Sequence, residues 1–157
     1  MREYKFRGKR KDNGEWVYGD LLHHLHWKDG SYWIRYSDEE HQCFVSVKVD
    51  PDTVGEFTGR YDKNGNEVYE KDIVAFEVWH GGVEHIIAEM EAEKQGKKIN
   101  WVRPHVILFN KYGTFCMKPI EFIDDESWYG YEIPDADKIE IIGTVHENPE
   151  LLEEGSV

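Results

Sequence analysis

Oxygen-bearing side chains are concentrated in the stretch DKNGNEVYEKD, residues 62–72. A calcium loop of the helix-loop-helix type needs oxygens at positions 1, 3 and 5, glycine at 6 and a bidentate glutamate at 12. Counted from Asp62, the glycine falls at position 4 and Ile73 takes position 12, so the residues that a calcium loop needs at positions 6 and 12 are absent. Asn64 and Gly65 suit the left-handed positions of a hairpin turn. The spacing therefore predicts a turn rather than a metal site.

A second group of candidate metal ligands is His23, His24 and His26. On a strand His24 and His26 share one face, and two imidazoles are fewer than the three or four ligands of a stable zinc site. A distant residue such as His41 or Asp38 would have to complete the site. The sequence favours a solvated or aromatic-packed histidine face, and it predicts no metal and no other cofactor.

Signals of catalytic chemistry are weak. Acidic clusters such as 124–126 are expected by chance in a chain with 32 acidic residues. The sequence has no GxSxG elbow, P-loop or GxGxxG turn. Cys43 and Cys116 lack CxxC spacing and are predicted to be buried small hydrophobes. No catalytic residue is assigned, and a non-enzymatic protein is predicted.

Four aromatic residues form a candidate interaction surface: Trp27, Tyr32, Trp33 and Tyr36. With their basic neighbours they could stack on the bases of nucleic acid. On a strand, Trp33 faces away from Tyr32 and Tyr36, so the same residues could equally serve as core and protein interface.

The charge balance opposes polyanionic partners. The chain has 32 acidic and 19 basic residues and a net charge of −13, which repels nucleic-acid backbones and anionic membranes. Its basic head, residues 1–11, is interpreted as a basic first strand on an acidic body. No charged-then-apolar leader and no long apolar run is present, which predicts a cytoplasmic protein without membrane contact.

The elements that position these residues are mainly strands. Residues 42–49 alternate Cys43, Val45, Val47 and Val49 with the residues between them, as a half-buried strand does. Other β-rich runs in this half cover 3–7, 16–22 and 31–36, and glycine-containing turns separate them. Residues 1–60 are predicted to form an antiparallel β module.

The second half contains more strands and one inserted helix. Strand candidates cover 72–79, 105–110, 114–118 and 139–145. Apolar residues at 83, 86, 87 and 90 predict an amphipathic helix at about 83–97. Its apolar stripe is expected to pack on its own chain, with a partner subunit as the alternative. Asn148 as N-cap and Pro149 at the first helical position predict a short helix at 149–153.

Residues 57–74, FTGRYDKNGNEVYEKDIV, resemble the signature of the YopX family, small proteins encoded by phages and prophages of bacteria, in which FTG, DKNG, (I/V)YE and GDIV recur. The opening MREYKFRGKRKDNGEWVYGD, the segment VDPDTVGEFTG and the ending IIGTVHENPELLE are also similar. Two parts depart from the pattern. Lys71 stands where the family usually has Gly, and the stretch 80–104 is longer than its counterpart.

The resemblance implies an all-β arrangement interrupted by the inserted helix. The β module of residues 1–60 would join, through a connecting turn at 61–68, a small SH3-like or barrel-like module at 69–157. The family has no agreed activity, so no catalytic or cofactor-binding residue carries over. The roles expected for matched residues are backbone turns at Gly59 and Gly65, core positions at Phe57, Tyr69, Ile73 and Val74, and a side-chain bond from Asp72 to backbone N–H groups.

These observations predict a phage or prophage accessory protein that acts through protein contacts as a homo-oligomer. An unidentified host or phage protein is a further candidate partner. One alternative is a small-barrel protein that binds nucleic acid, which the negative charge disfavours. Another is an acidic mimic of nucleic acid that occupies a basic groove of a host protein.

Overall fold

The computed structural model describes residues 3–23, 30–77, 83–97, 102–127 and 129–153. Its elements form two antiparallel sheets, and the mainly β fold predicted from the sequence is confirmed. The strands are β1 (Phe6–Lys9), β2 (Trp16–His23), β3 (Tyr32–Asp38), β4 (Cys43–Val49), β5 (Gly55–Tyr61), β6 (Glu67–Tyr69), β7 (Asp72–Glu77), β8 (Val102–Phe109), β9 (Phe115–Pro119) and β10 (Ile139–Thr144). The helices are α1 (Val83–Lys94) and α2 (Glu150–Glu153), and single 3₁₀ turns cover Pro51–Thr53, Ile120–Phe122 and Ala136–Lys138.

The first sheet has the strand order β4-β3-β2-β1-β5-β6 and curls back on itself. An antiparallel bridge between Arg10 and Val49 brings the end of β1 against β4. Ile34 and Val49 are fully buried inside the curl. A Cβ at Gly8 would lie 3.1 Å from the Val49 side chain, so a larger residue there would force Val49 to shift by a few tenths of an ångström. Four strands thus form a partly closed barrel in the N-terminal half.

The second sheet has the order β10-β7-β8-β9 and is buried on both faces. One face carries a core cluster made by Val68, Val74, Ile107, Met117, Ile133 and Ile139. On the other face, Ile73, Val106 and Ile120 pack with Leu151 and Leu152 of α2. Val68 lies on β6, so the first sheet contributes to the core of the second. Strands β9 and β10 form the two edges of this sheet, and the barrel-type closure lies in the first sheet.

The signature turn is a hairpin of the first sheet. Strand β6 pairs with β5, with Phe57 opposite Tyr69, and the turn between them covers 62–66. The first sheet therefore extends to Tyr69, beyond the division at residue 60 expected from the sequence. The reason is that both flanks of DKNG are strands, so the glycine-containing turn connects paired neighbours rather than two modules.

Two residues of the predicted apolar stripe of helix α1 are exposed. Ile87 and Met90 are 48% and 53% exposed, whereas Ala88 and Ala92 are half-buried. The expectation that this stripe packs on its own chain is not met at Ile87 and Met90. Neither helix in the described ranges has the length and apolarity needed to cross a membrane.

The residue before Asp72 adopts a conformation that suits glycine. Lys71 has φ of 70°, in the left-handed region, and its Nζ donates hydrogen bonds to Asp52 O and Val54 O. Lys71→Ala and Lys71→Gly lose the same two bonds, but only glycine also removes the left-handed penalty of about 1 kcal/mol. We expect Lys71→Gly to be more stable than Lys71→Ala by that amount in urea unfolding. Equal stability of the two variants would contradict this account.

A buried histidine makes the stability of the second sheet depend on pH. His105 is fully buried, and burial lowers the pKa of its imidazole below 6.5 despite the bond between Nδ1 and Arg103 O. The unfolded chain then binds a proton that the folded chain does not, so stability is lost as pH falls below 6.5, by at most about 1.4 kcal/mol per unit. The carboxylates with lowered pKa values titrate below 4.5 and act at lower pH.

Urea unfolding between pH 7 and pH 5 measures this dependence. His105→Asn keeps an N–H donor but does not titrate, so its unfolding free energy should vary less over this range. A residual slope is expected from His146, whose pKa burial also lowers, and an opposite one from Glu70 and Asp72, whose pKa values burial raises. An unchanged slope in His105→Asn would show that His105 does not contribute.

Candidate functional site

Arg7 joins the first strand of one sheet to the first strand of the other. Its Nη1 lies 2.7 Å from Asp72 Oδ1, with both side chains buried. The guanidinium lies over the rings of Trp16 and Tyr69, with its central carbon 4.7 and 5.0 Å from their centroids. Its Nη2 donates to Glu70 O at 3.2 Å. The cation thus contacts two aromatic rings, a carboxylate and a backbone carbonyl.

Asp72 is the anionic half of this junction. Its Oδ2 accepts a hydrogen bond from Tyr69 N–H at 2.8 Å, while Oδ1 faces Arg7. Burial raises the pKa of the Asp72 carboxyl, and Arg7 offsets part of that effect. Removing either partner would leave the other charge buried without compensation.

A cleft of about 670 Å³ opens beside the junction. Its aromatic lining consists of Trp16, Tyr18, Tyr61 and Tyr69. At its rim, Glu67 pairs with Lys5 at 2.7 Å and Glu147 pairs with Lys9 at 2.8 Å. The charged groups that face the cleft are therefore balanced within the chain. This arrangement suits a structural joint between the sheets.

The turn at 62–66 is organised by a carboxylate that the sequence analysis considered as a metal ligand. Asp62 Oδ1 accepts from the N–H groups of Asn64 and Asn66 at 2.9 and 2.8 Å. Its Oδ2 accepts from Asn66 Nδ2 and from Ile141 N–H on β10. Burial opposes ionisation, but these donors outweigh it and lower the pKa of Asp62. Its oxygens serve N–H groups and tie the turn to the second sheet.

An aromatic groove lies at the end of the β8–β9 hairpin, formed by Phe109, Tyr112, Tyr129 and Tyr131. Their exposed fractions are 46%, 61%, 54% and 37%. The rings of Tyr112 and Tyr129 meet edge to face with centroids 5.2 Å apart, and Lys111 Nζ lies 5.6 Å from both. Hollows of about 320 and 590 Å³ adjoin at Tyr129. Exposed aromatic rings concentrated in this way are typical of an interface.

A second exposed apolar surface is the helix stripe, Ile87 and Met90 of α1. The two residues are three positions apart, so their side chains are neighbours along the helix surface. Glu91 follows Ile87 at four positions and borders the stripe. The aromatic groove and the helix stripe are both exposed apolar surfaces of a kind that is common at protein interfaces.

The YopX family model matches residues 5–153. The chain belongs to the YopX family. No curated protein matches it. The crystal structure of protein EF1440 from Enterococcus faecalis is similar, with 20% sequence identity, a TM-score of 0.48 and coverage of 97% of this chain and 99% of that chain.

The YopX signature surrounds the joint between the sheets. Phe57 and Tyr69 are each 2% exposed with ring centroids 5.5 Å apart, and Ile73 is fully buried. Gly59 and Gly65 have φ of 78° and 82°. Asp72 binds Arg7 as described above. Val74 lies in the core of the second sheet.

The terminal motif of this YopX-family protein is tied to β10. Asn148 Oδ1 accepts a hydrogen bond from Thr144 N–H at 3.3 Å, and its Nδ2 donates to Glu150 at 3.1 Å. Leu152 N–H donates to Pro149 O at 3.0 Å. Asn148 therefore anchors the start of α2 to the second sheet.

The predicted aromatic surface divides between two faces. Pairing of β3 with its neighbours places Tyr32 and Tyr36 on one face and Trp33 on the other. Tyr32 stacks on His23 with centroids 4.2 Å apart, and Trp33 Nε1 donates to Ser31 Oγ. Trp27 lies outside the described residues.

The candidate metal ligands are only partly described, because His24 and His26 lie outside the described ranges. Within those ranges no group of three or more His, Cys, Asp and Glu side chains is placed to hold a metal ion. The expectation that both cysteines are buried is wrong for Cys43, which is exposed, and right for Cys116. Cys43 begins β4 at the edge of its sheet, where nothing in the described chain covers it.

Sequence reasoning missed Arg7 and the aromatic groove. Arg7 was counted only as part of a basic head, although its place between Phe6 and Gly8 in a β-rich run was a signal that it needed a partner. The groove combines residues on either side of β9, and no periodicity marks them. A concentration of Tyr and Phe near turns at 109–115 and 129–131 was the available signal.

Proposed function

We propose that this YopX-family protein is a non-enzymatic accessory protein of a phage or prophage, acting in the cytoplasm of the bacterial host through protein contacts, and that it self-associates. The helix stripe supports this proposal best. Two large apolar side chains, Ile87 and Met90, remain about half exposed on a helix whose opposite side carries the more buried Ala88 and Ala92. A partner subunit is a direct way to cover such a stripe.

Other surfaces support contact over catalysis. The glutamates at the rim of the inter-sheet cleft form salt bridges with lysines of the same chain. The edge strand β9 is capped where Met117 exchanges backbone hydrogen bonds with Tyr131. Strand addition is therefore blocked at this point of β9, and the exposed side chains of the helix stripe and the aromatic groove offer another route to association.

Size-exclusion chromatography with light scattering, over a range of protein concentrations, tests self-association. The wild-type protein should elute above the 18.6 kDa of one chain, and the double variant Ile87→Ser/Met90→Ser should elute as a monomer. Because both residues are largely exposed, the variant should keep its fold, which circular dichroism checks. A wild-type protein that stays monomeric at high concentration would refute the proposal.

A further inference from the structure

We propose that the helix stripe of one copy docks in the aromatic groove of a second copy. This inference rests on the proposed self-association and names the surface that receives the helix. The two surfaces are the exposed apolar features described above, one convex and one concave. A helix laid in a hydrophobic groove is a common mode of recognition, with anchors at i and i+3.

The chemistry of the two surfaces is complementary. Met90 brings a thioether to a groove lined by Phe109, Tyr112 and Tyr129, and sulfur packs favourably against aromatic rings. Ile87, one turn earlier, supplies the second anchor. The groove has rigid aromatic walls with few rotatable bonds, which limits the entropy lost when they are covered.

The charges favour a copy of this chain as the occupant. Residues 83–94 carry four glutamates and one lysine, whereas the groove is lined by Lys111, Lys118 and Glu126. A helix of charge −3 thus meets a groove whose lining has a net charge of +1 when the buried Lys118 is included, although the whole protein is strongly acidic. Glu91 lies beside Ile87 and Met90 on the helix. In the docked pair it is expected to form an ion pair with Lys111, which is exposed at the end of the groove.

Reciprocal docking gives a closed dimer. If the helix of each copy enters the groove of the other, the two contacts are identical and a two-fold axis relates the copies. Docking in one direction only would leave a free helix and a free groove at each end and build open chains. Sedimentation velocity distinguishes the two, because a dimer reaches a fixed size and open chains grow with concentration.

A charge exchange tests the pairing of the two surfaces. Lys111→Glu and Glu91→Lys, each alone, should weaken association by roughly tenfold or more, and the double variant, which restores opposite charges across both contacts, should recover it. Lys11→Glu and Glu39→Lys make the same charge changes at exposed positions elsewhere and should leave the dissociation constant unchanged. The apolar part is tested by Tyr112→Asp/Tyr129→Asp, which should be monomeric.

The outcomes separate this inference from the proposed self-association. Dimers that persist in the groove variant but are lost in Ile87→Ser/Met90→Ser would overturn the groove as the receiving surface while leaving self-association intact. A monomeric wild type would overturn both. Binding of a thymidine oligonucleotide by the wild type at low salt, lost in Tyr112→Asp/Tyr129→Asp, would assign the groove to nucleic acid and overturn the inference as well.

Discussion

Replacing Arg7 with Met is expected to destabilise the protein by about 3–5 kcal/mol, because the change leaves the Asp72 carboxylate buried without its cation. Arg7 also lies over the rings of Trp16 and Tyr69, and its removal takes a planar cation from both contacts. The loss should affect both sheets together, since Arg7 lies on β1 and Asp72 on β7. Urea unfolding followed by tryptophan fluorescence measures the effect.

A matched control uses the same substitution at a surface ion pair. Arg35 pairs with Asp20 at 3.0 Å with both side chains about half exposed, so Arg35→Met should cost less than about 1 kcal/mol. Asp72→Asn keeps an oxygen for Tyr69 N–H but removes the charge, and should itself be strongly destabilising. The double variant Arg7→Met/Asp72→Asn should cost clearly less than the sum of the two. Additive costs, or similar costs for Arg7→Met and Arg35→Met, would show that the buried pair is not a unit.

Most strands could be predicted from the sequence, because the residue pattern within each strand is enough to indicate it. The alternation at 43–49 and the glycines of the turns are properties of neighbouring residues, and the strands lie close to where they were predicted. The same holds for the turn at 62–66, where Asn64 and Gly65 tolerate the required backbone geometry. Lys71 stands where the family usually has glycine, and the structure places it at positive φ, the conformation that favours glycine.

Contacts between residues far apart in the chain could not be predicted from local patterns. The bridge between Arg10 and Val49 and the pairing of Arg7 with Asp72 join residues far apart in the chain, and neither follows from periodicity. The orientation of α1 is a similar case. The spacing of its apolar residues predicts a helix correctly, but it does not say which surface of the protein the stripe faces.

Asp62→Ala is expected to destabilise the protein by about 3 kcal/mol, since it removes the acceptor for three backbone N–H groups. Two of these, at Asn64 and Asn66, lie in an exposed turn and can turn to water. The third, at Ile141, lies in β10 and is partly buried, so its loss should dominate. Equilibrium unfolding in urea measures the total.

Asn110 offers a matched comparison, because its Oδ1 organises the turn after β8 in the same way without reaching another sheet. It accepts from Tyr112 N–H and from Thr114 N–H and Oγ1, all exposed. Asn110→Ala should therefore cost about 1 kcal/mol. The difference between the two variants isolates the link from Asp62 to Ile141. Since the donors lower the pKa of Asp62, its contribution should also be lost as pH falls below 3.8. If Asp62→Ala costs no more than Asn110→Ala, the signature aspartate shapes only its own turn.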